Sequence, residues 1–300
     1  MATSITVSFT RQYEREVHEI FQRQGSFLLQ AVRRKSNIKG KSTTFQVIGK
    51  GAATTKSRHG TITTMNQVHT SKEVTIADFY AADYVDKLDE AKINHDERLA
   101  IARGGAWALG RKADNQVIAE LDKTTQAIIT WTVTSAATVR NSLIETVEAL
   151  DNNDVPNDGQ RFGLLTPRAH SMAMTVNEFK SSDFVGPSGL PFVTGAPIGA
   201  ARFRNWMGVN WMVHTDLPGK GTSVAKVFVF HKSAIGYASG VNSSVTDRAL
   251  AGTDIVTDFW WNGERAAWLI NSMMAGQAIL IDDTGVIEGN LDDTAPIPTS

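Results

Sequence analysis

The chain has 300 residues, 42% hydrophobic and 20% charged, with a formal net charge of −1; such a chain buries roughly 75% of its unfolded surface in about two domains. It has no cysteine, which excludes disulfides, thiolate metal sites and cysteine nucleophiles. No run reaches the ~18 apolar residues of a membrane span, and the charged start, MATSITVSFTRQYEREVHEI, has no apolar signal core, so synthesis in a cytoplasm is expected.

Residues 9–34 place Phe9, Tyr13, Val17, Ile20, Phe21, Phe27, Leu28 and Val32 near helical spacing, which predicts an amphipathic helix interrupted at Gly25. Arg33, Arg34 and Lys35 would suit its C-terminal dipole. Residues 42–48, STTFQVI, alternate with period two and predict a strand; residues 72–80, KEVTIADFY, predict another. The stretch between them is rich in Gly, Thr, Ser, Lys and His, as a long polar hairpin tip would be. Residues 94–123 carry the clearest helical pattern. Asn94 can cap it with Glu97 in a capping box, and Leu99, Ala102, Ala106, Leu109, Ala113, Val117 and Leu121 form one apolar stripe. Gly104 and Gly105 cost about 1 kcal/mol each relative to alanine and predict a bend.

Further along, 126–133 predicts a strand, 141–150 a helix and 151–159, DNNDVPNDG, a turn. Short pieces then alternate: RFGLLT, PRAHSMAMT, a Gly/Pro-rich loop at 185–199, VNWMVH, AKVFVFH and KSAIGYA. A segment with Trp260, Trp261 and Trp268, the apolar run AILI at 278–281 and an acidic tail complete the chain. There is no internal repeat, and the fold class is α+β.

Residues 41–60, KSTTFQVIGKGAATTKSRHG, have the look of a phosphate loop. A Walker loop starting at Gly51 needs glycine where Lys56 stands, and a dinucleotide loop starting at Gly49 needs a small residue at Thr54. Both need a following helix, and the residues that follow, Thr61, Thr63 and Thr64, favour strand. Asp283-Thr284-Gly285 matches an aspartic-protease triplet, but such sites need two facing carboxylates and only one copy exists. The Asp151–Asp158 cluster has Val155 and Pro156 among the positions a calcium loop would use. The histidines are scattered, and no Gly-x-Ser-x-Gly elbow occurs. No enzyme, cofactor or metal site is expected.

Charge is uneven along the chain. Residues 1–60 hold 11 Lys and Arg against 3 Asp and Glu, a net of +8, whereas residues 78–97 carry a net of −5. A basic region can serve as a nucleic-acid arm; that is the rival expectation. It can equally meet the acidic part of another copy, and a two-stranded hairpin with a basic tip is marginal alone. A head-to-tail contact of this kind propagates into rings and larger assemblies. The hairpin side of the contact is expected at Lys41, Phe45, Val47, Lys50, Lys56 and Arg58. The acidic acceptor is expected at Asp83, Asp86, Asp89, Glu90, Asp96 and Glu97.

The order of elements resembles the HK97-like fold of tailed-phage major capsid proteins, most closely those of short-tailed (podovirus) phages. The residues that carry the resemblance are Lys41-Ser42 with Phe45, Val47 and Gly49; Ala82-Asp83 leading to Asn94-His95; and Ala113-Asp114 leading to Val117-Ile118-Ala119-Glu120. VFVFHKSAIGYA and AGQAILIDDTGV resemble the family's late strands. The resemblance implies an N-terminal arm at 1–35 and an extended loop at 36–82. It implies a peripheral domain at 83–135 with a spine helix at 94–123, a mainly axial domain at 136–260, and a return segment and acidic tail at 261–300. It also implies a subunit that forms pentamers and hexamers of an icosahedral head around double-stranded DNA, which it contacts non-specifically. A separate scaffolding protein, a portal protein, assembly in the host cytoplasm and residence in the virion are further implications. Some members cross-link loops through Lys–Asn bonds. Lys50 and Lys56 lie in the corresponding region, but no partner Asn or catalytic Glu can be matched.

Overall fold

The computed structural model describes residues 22–90, 97–176, 204–240 and 255–298. A 3-10 turn at Leu28–Gln30 leads into β1 (Arg33–Ile38), β2 (Ser42–Ile48), β3 (His69–Thr75) and β4 (Ala77–Asp86). Next come α1 (Lys87–Glu90), α2 (Glu97–Leu121), β5 (Ile129–Thr130), α3 (Ala136–Asn152), β6 (Arg161–Leu165) and α4 (Pro167–Ala173). The later strands are β7 (Arg204–Trp206), β8 (Val209–Val213), β9 (Ala225–His231), β10 (Ile235–Gly240), β11 (Ile255–Asn262), β12 (Ala267–Leu280) and β13 (Val286–Leu291), with a 3-10 turn at Asp283–Gly285. The chain divides into two units. One comprises Met1–Gly25, Asp78–Arg111 and Asn242–Ala275; the other comprises Ser26–Ala77, Lys112–Val241 and Gly276–Ser300.

The larger unit is built on a six-stranded sheet in the order β5-β13-β9-β6-β8-β7. The central β9, AKVFVFH, is apolar on both faces and all but one of its residues are buried, as a covered strand requires. On one face α3 packs Val139, Leu143, Val147 and Leu150 against Val227, Val229 and Ile287. Ser135 starts α3: its Oγ accepts the Thr138 N–H at 3.2 Å while Thr138 Oγ1 accepts the Ser135 N–H at 2.9 Å, a reciprocal cap. Thr166 caps α4 by accepting the Ala169 N–H at 3.0 Å, with Pro167 in the first turn. Arg161, 1% exposed, ties the 151–159 turn to β6, with Nη2 2.6 Å from Asp151 Oδ1 and Nε donating to the Pro156 carbonyl at 3.1 Å.

The same unit contains the base of the N-terminal region. β1 runs parallel to β10, pairing Arg33 with Gly236 and Lys35 with Ala238. β10 is antiparallel to the end of β12, from Ile235–Leu280 to Ser239–Gly276. Ahead of β1, Leu28, Ala31 and Val32 are buried. The Asp114 carboxylate, with no solvent exposure, receives the N–H groups of Phe27 at 3.0 Å and Leu28 at 3.0 Å, the Ser26 hydroxyl, and His214 Nε2 at 3.5 Å. Helical spacing at 9–34 predicts a different structure. Of that span, the described part forms a 3-10 turn and a strand, because Asp114 supplies from outside the segment the acceptors that an α-helix would supply from within. Residues 1–21 lie outside the described residues.

In the smaller unit β11 is antiparallel to the first part of β12, from Ile255–Met274 to Asn262–Ala267, and β4 also pairs with β12. Trp261 and Trp268 meet edge-on at 5.4 Å, with Lys87 over Trp261 and Arg98 over Trp268, each at 5.5 Å. Arg265 lies 4.7 Å from the Tyr84 ring. α2 is continuous over Glu97–Leu121, with no break at the glycines. A Cβ on Gly105 would lie 2.9 Å from Ser272 Oγ, whereas one on Gly104 would meet nothing within 4 Å; Gly105 is there for close approach. The expected apolar stripe is buried at Leu109, Ala113, Val117 and Leu121, but Leu99 is 46% exposed. The Asn94 cap and the 185–199 loop lie outside the described residues. Two further expectations change. The strand at 126–133 shrinks to two residues, and 72–80 divides between β3 and β4.

Candidate functional site

The hairpin of β2 and β3 pairs from Ser42–Thr75 to Ile48–His69, and its two ends differ in character. At the base, the Thr43, Phe45, Val47 face of β2 turns inward. Phe45 and Val74, each 3% exposed, join Ala238 and Ile281 in a small core, with Ile38, Val47 and Ile279 packed around it. Gly236 makes room for the Phe45 ring: a Cβ there would lie 2.9 Å from Phe45 Cζ. Arg33 and Lys35 stand 5.7 and 5.9 Å from the ring centroid, within cation–π range.

Beyond Ile48 the hairpin leaves this support. One more backbone bond, Gly49 N–H to the Val68 carbonyl at 2.8 Å, closes the ladder. From Lys50 to Thr70 every residue except Gly60 is exposed. Apolar side chains are among them: Ile62 is 76% exposed, Met65 49% and Val68 66%, and Ile48, at the end of β2, is 60% exposed. These residues go unnoticed in the sequence because threonine, serine and lysine dominate the local composition. Their near-regular recurrence at 62, 65 and 68 is the signal that marks them.

The expected contact residues fall in distinct places. Lys41, Lys50, Lys56 and Arg58 are exposed. Lys50 Nζ sits 2.6 Å from Asp154 Oδ2, and both side chains are largely in solvent. The Lys50 hydrogen bond holds the Asp154 carboxyl below its ordinary range. Phe45 differs from expectation: it is spent on its own chain's core and is not open to a neighbour, and Val47 is half-buried beside it. The acidic residues belong to the other unit. Asp83 and Asp86 are exposed on β4, where Asp86 Oδ1 accepts the Leu88 N–H at 2.7 Å. Asp89 and Glu90 are on α1, and Glu97 opens α2. Asp96 lies outside the described residues.

Two constellations elsewhere have catalytic residue types. Asp283 of the Asp-Thr-Gly triplet accepts from Thr124 Oγ1 at 2.8 Å, Thr125 Oγ1 at 2.6 Å, the Thr125 N–H at 3.0 Å and Gln126 Nε2 at 3.1 Å. Burial raises its pKa, but these bonds outweigh it and the net shift is downward. It is a carboxylate that fastens the end of α2 to the turn before β13. Ser233 Oγ lies 2.6 Å from His231 Nδ1, and His231 Nε2 lies 3.1 Å from Asp158 Oδ1, the order of a nucleophile, a base and an orienting acid. An acyl-transfer site also needs N–H groups for an oxyanion. Here the Ser233 N–H points at His231 Nδ1, the Lys232 N–H bonds the Gln160 carbonyl and the Ala234 N–H bonds the His231 carbonyl. The group closes a strand-end turn.

The family model for phage capsid protein matches residues 5–293. No curated protein matches the chain. Among solved structures, the capsid of cyanophage P-SCSP1u is similar at a TM-score of 0.70 with 15% identity, covering 97% of this chain and 95% of that one. A Mycobacterium phage Che8 structure is similar at 0.67 with 16% identity, covering 98% and 100%. The capsid of the native GTA particle is similar at 0.68 with 12% identity, covering 97% of each. At these identities the likeness establishes the fold, which is HK97-like and α+β. The exposed hairpin, the late strands and the match over nearly the whole sequence agree: the chain belongs to the phage capsid protein family and is a structural subunit of the capsid.

Proposed function

We propose that this major capsid protein assembles with its own copies into the pentamers and hexamers of an icosahedral phage head. The tip of each hairpin lies on the acidic approach to α2 of its neighbour. One observation carries this reading: the hairpin is fixed at its base by Phe45 and Val74, yet it holds Ile48, Ile62, Met65 and Val68 out in solvent. Fully burying such a side chain contributes about 1.5–3 kcal/mol, whereas an exposed ion pair contributes about 0–1 kcal/mol. The apolar tip therefore supplies most of the adhesion. Lys50, Lys56 and Arg58, facing Asp83, Asp86, Asp89, Glu90, Asp96 and Glu97 of the next copy, set orientation and encounter rate. The contact is heterologous and repeats at every subunit.

In this reading the unit holding β4, α1 and β11 is the peripheral domain, and the unit holding α3, α4 and the six-stranded sheet is the axial domain. Assembly takes place in the host cytoplasm with a separate scaffolding protein and a portal protein, and the head encloses double-stranded DNA. The subunit needs no cofactor and performs no catalysis. The rival reading, a nucleic-acid-binding protein acting through the basic N-terminal region, finds no support in the comparisons.

Negative-stain imaging of the purified chain tests the proposal. Shells, rings or capsomers are expected, and their loss is expected when Ile62, Met65 and Val68 are replaced by serine. A chain that stays monomeric at all concentrations, with scaffold present or absent, would overturn it.

A further inference from the structure

The antiparallel pair β11 and β12 closes through the turn Asn262-Gly263-Glu264-Arg265-Ala266. The last pair of the ladder is Asn262 with Ala267. Gly263 to Ala266 are exposed, and Asn262 is half-buried. No other asparagine in the chain precedes a glycine. Asn262 Oδ1 accepts two backbone N–H groups, from Glu264 at 3.0 Å and from Arg265 at 3.3 Å. The Gly263 N–H donates no hydrogen bond among the described residues. A Cβ on Gly263 would meet only Trp261 Nε1, at 3.9 Å, and Gly263 is not among the glycines with positive φ. Neither packing nor a left-handed backbone therefore demands glycine at this position.

We propose that Asn262 is a site of spontaneous deamidation, in which the Gly263 nitrogen displaces the side-chain amide and water opens the ring that forms. The Gly263 nitrogen gives its proton to water or hydroxide, and its electron pair forms a bond to Asn262 Cγ. The Cγ–Nδ2 bond breaks, Nδ2 takes a proton from water and leaves as ammonia, and a cyclic imide remains. Water then adds to either imide carbonyl. Cleavage of the bond from nitrogen to Cγ gives aspartate; cleavage of the bond to the main-chain carbon gives isoaspartate. An amide and a water become a carboxylate and an ammonium ion, and nothing is oxidised or reduced.

Negative charge develops on Oδ1 as the nitrogen attacks, and two N–H groups already point at that atom. Donors fixed in advance on a developing oxyanion lower the barrier to its formation. Glycine omits the Cβ that would crowd the attacking nitrogen. The chain's one Asp-Gly pair, Asp158-Gly159, has the opposite setting. The His231 ring at 3.1 Å and the Gln160 N–H at 3.0 Å hold the Asp158 carboxyl below its ordinary range, and an ionised carboxylate is a poor acceptor for an amide nitrogen. At position 262 both products add a negative charge beside Glu264. Aspartate keeps the two N–H bonds, since it caps a turn as well as asparagine does. Isoaspartate lengthens the backbone by a methylene, so the pair with Ala267 loses its register. The strain falls on Ala266, which already has φ at 48° and whose carbonyl accepts the Lys87 N–H at 3.3 Å. None of this depends on how the subunits assemble.

The test is prolonged incubation of the full chain at neutral pH and physiological temperature. Peptide mass spectrometry locates each lost amide, and labelling by an isoaspartate methyltransferase reports the rearranged product. Asn262 is expected to lose its amide faster than any other asparagine. Gly263→Ala is expected to slow that loss about tenfold, which corresponds to about 1.4 kcal/mol on the barrier. The alanine has room for its Cβ, and thermal unfolding checks that the variant is folded. Asn262→Asp is expected to melt like fresh wild type, whereas aged wild type gains a less stable population that carries the isoaspartate. The same incubation of wild type in urea keeps the test independent of any variant: loss in the folded chain is expected to be at least as fast. An intact Asn262 amide after ageing, equal rates in wild type and Gly263→Ala, or faster loss in urea than in the fold would overturn the proposal.

Discussion

The Asp114 carboxylate and the backbone N–H of Leu28 meet at 3.0 Å, 86 residues apart in sequence and both without solvent exposure. Burial pushes the Asp114 carboxyl up, but the hydrogen bonds from His214, Ser26, Phe27 and Leu28 outweigh it and hold the group below its ordinary value of 3.8. His214 Nδ1 accepts the Asp216 N–H at 3.2 Å, which leaves Nε2–H as the donor to Asp114.

A carboxyl depressed in the folded state stabilises the fold above its unfolded pKa, and that stability is lost as pH falls through the folded value. Asp114→Asn is therefore expected to cost on the order of 3 kcal/mol at neutral pH and much less near pH 2. Denaturant melts of both proteins from pH 2 to pH 7 check this. A difference that is constant over the range would show that the charge contributes nothing.

The adjacent glycines of α2 are expected to respond with opposite signs. Gly104→Ala meets open space and should stabilise by about 1 kcal/mol through helix propensity. Gly105→Ala gains the same propensity but presses on Ser272 Oγ, Ser272 Cβ and the Ala81 carbonyl. Overpacking of this kind costs about 1–3 kcal/mol, so the net change is expected to be destabilising. Paired thermal melts decide, and a stabilised Gly105 variant would mean that β12 yields easily.

Arg161→Met is expected to cost about 1–3 kcal/mol. The guanidinium is 1% exposed and donates to the Val155 and Pro156 carbonyls, which would lose their donor, whereas its ion-pair partner Asp151 is mostly in solvent and would be hydrated. Equilibrium unfolding measures the loss. A cost under 1 kcal/mol would show that water replaces the side chain.

At the tip, charge and apolar area are expected to separate in kinetics. Changing Lys50, Lys56 and Arg58 to glutamate should slow assembly steeply at low salt and little at high salt. Ile62→Ser with Met65→Ser should lower the final shell yield at any salt. Light scattering at several ionic strengths records both, and salt-independent slowing by the charge variant would remove its steering role.

Elements with a strong local signal are legible in the sequence. Thr43, Phe45 and Val47 alternate as β2 does, and Ala113, Val117 and Leu121 keep helical spacing where α2 is buried. The structure departs where a distant residue decides. Leu28 and Val32 fit a helix by spacing, yet Asp114 takes the N–H groups there. Phe45 looks available to another chain because Gly236, which receives its ring, is nearly two hundred positions away. Leu99 continues the apolar stripe on paper and is exposed in fact, since spacing specifies a face without specifying how far along the helix that face is covered. Ser135 and Thr138 extend α3 five residues before the expected start, through a reciprocal cap hidden among other Ser and Thr residues.

The seat of Phe45 is made of Gly236, Ala238 and Ile281, so the hairpin, encoded early, gains its footing only after most of the chain has been synthesised. Pairings of such sequence separation form slowly and late. Ribosome-bound chains ending before residue 236 are expected to be cleaved at Lys39, Lys41 and Lys72 of the base as readily as at Lys50, Lys56 and Arg58 of the tip, and released full-length chains only at the tip. Nascent subunits on one messenger therefore do not present a rigid, aimed hairpin to each other, and growth of the lattice is deferred to finished molecules by the order in which the polypeptide emerges.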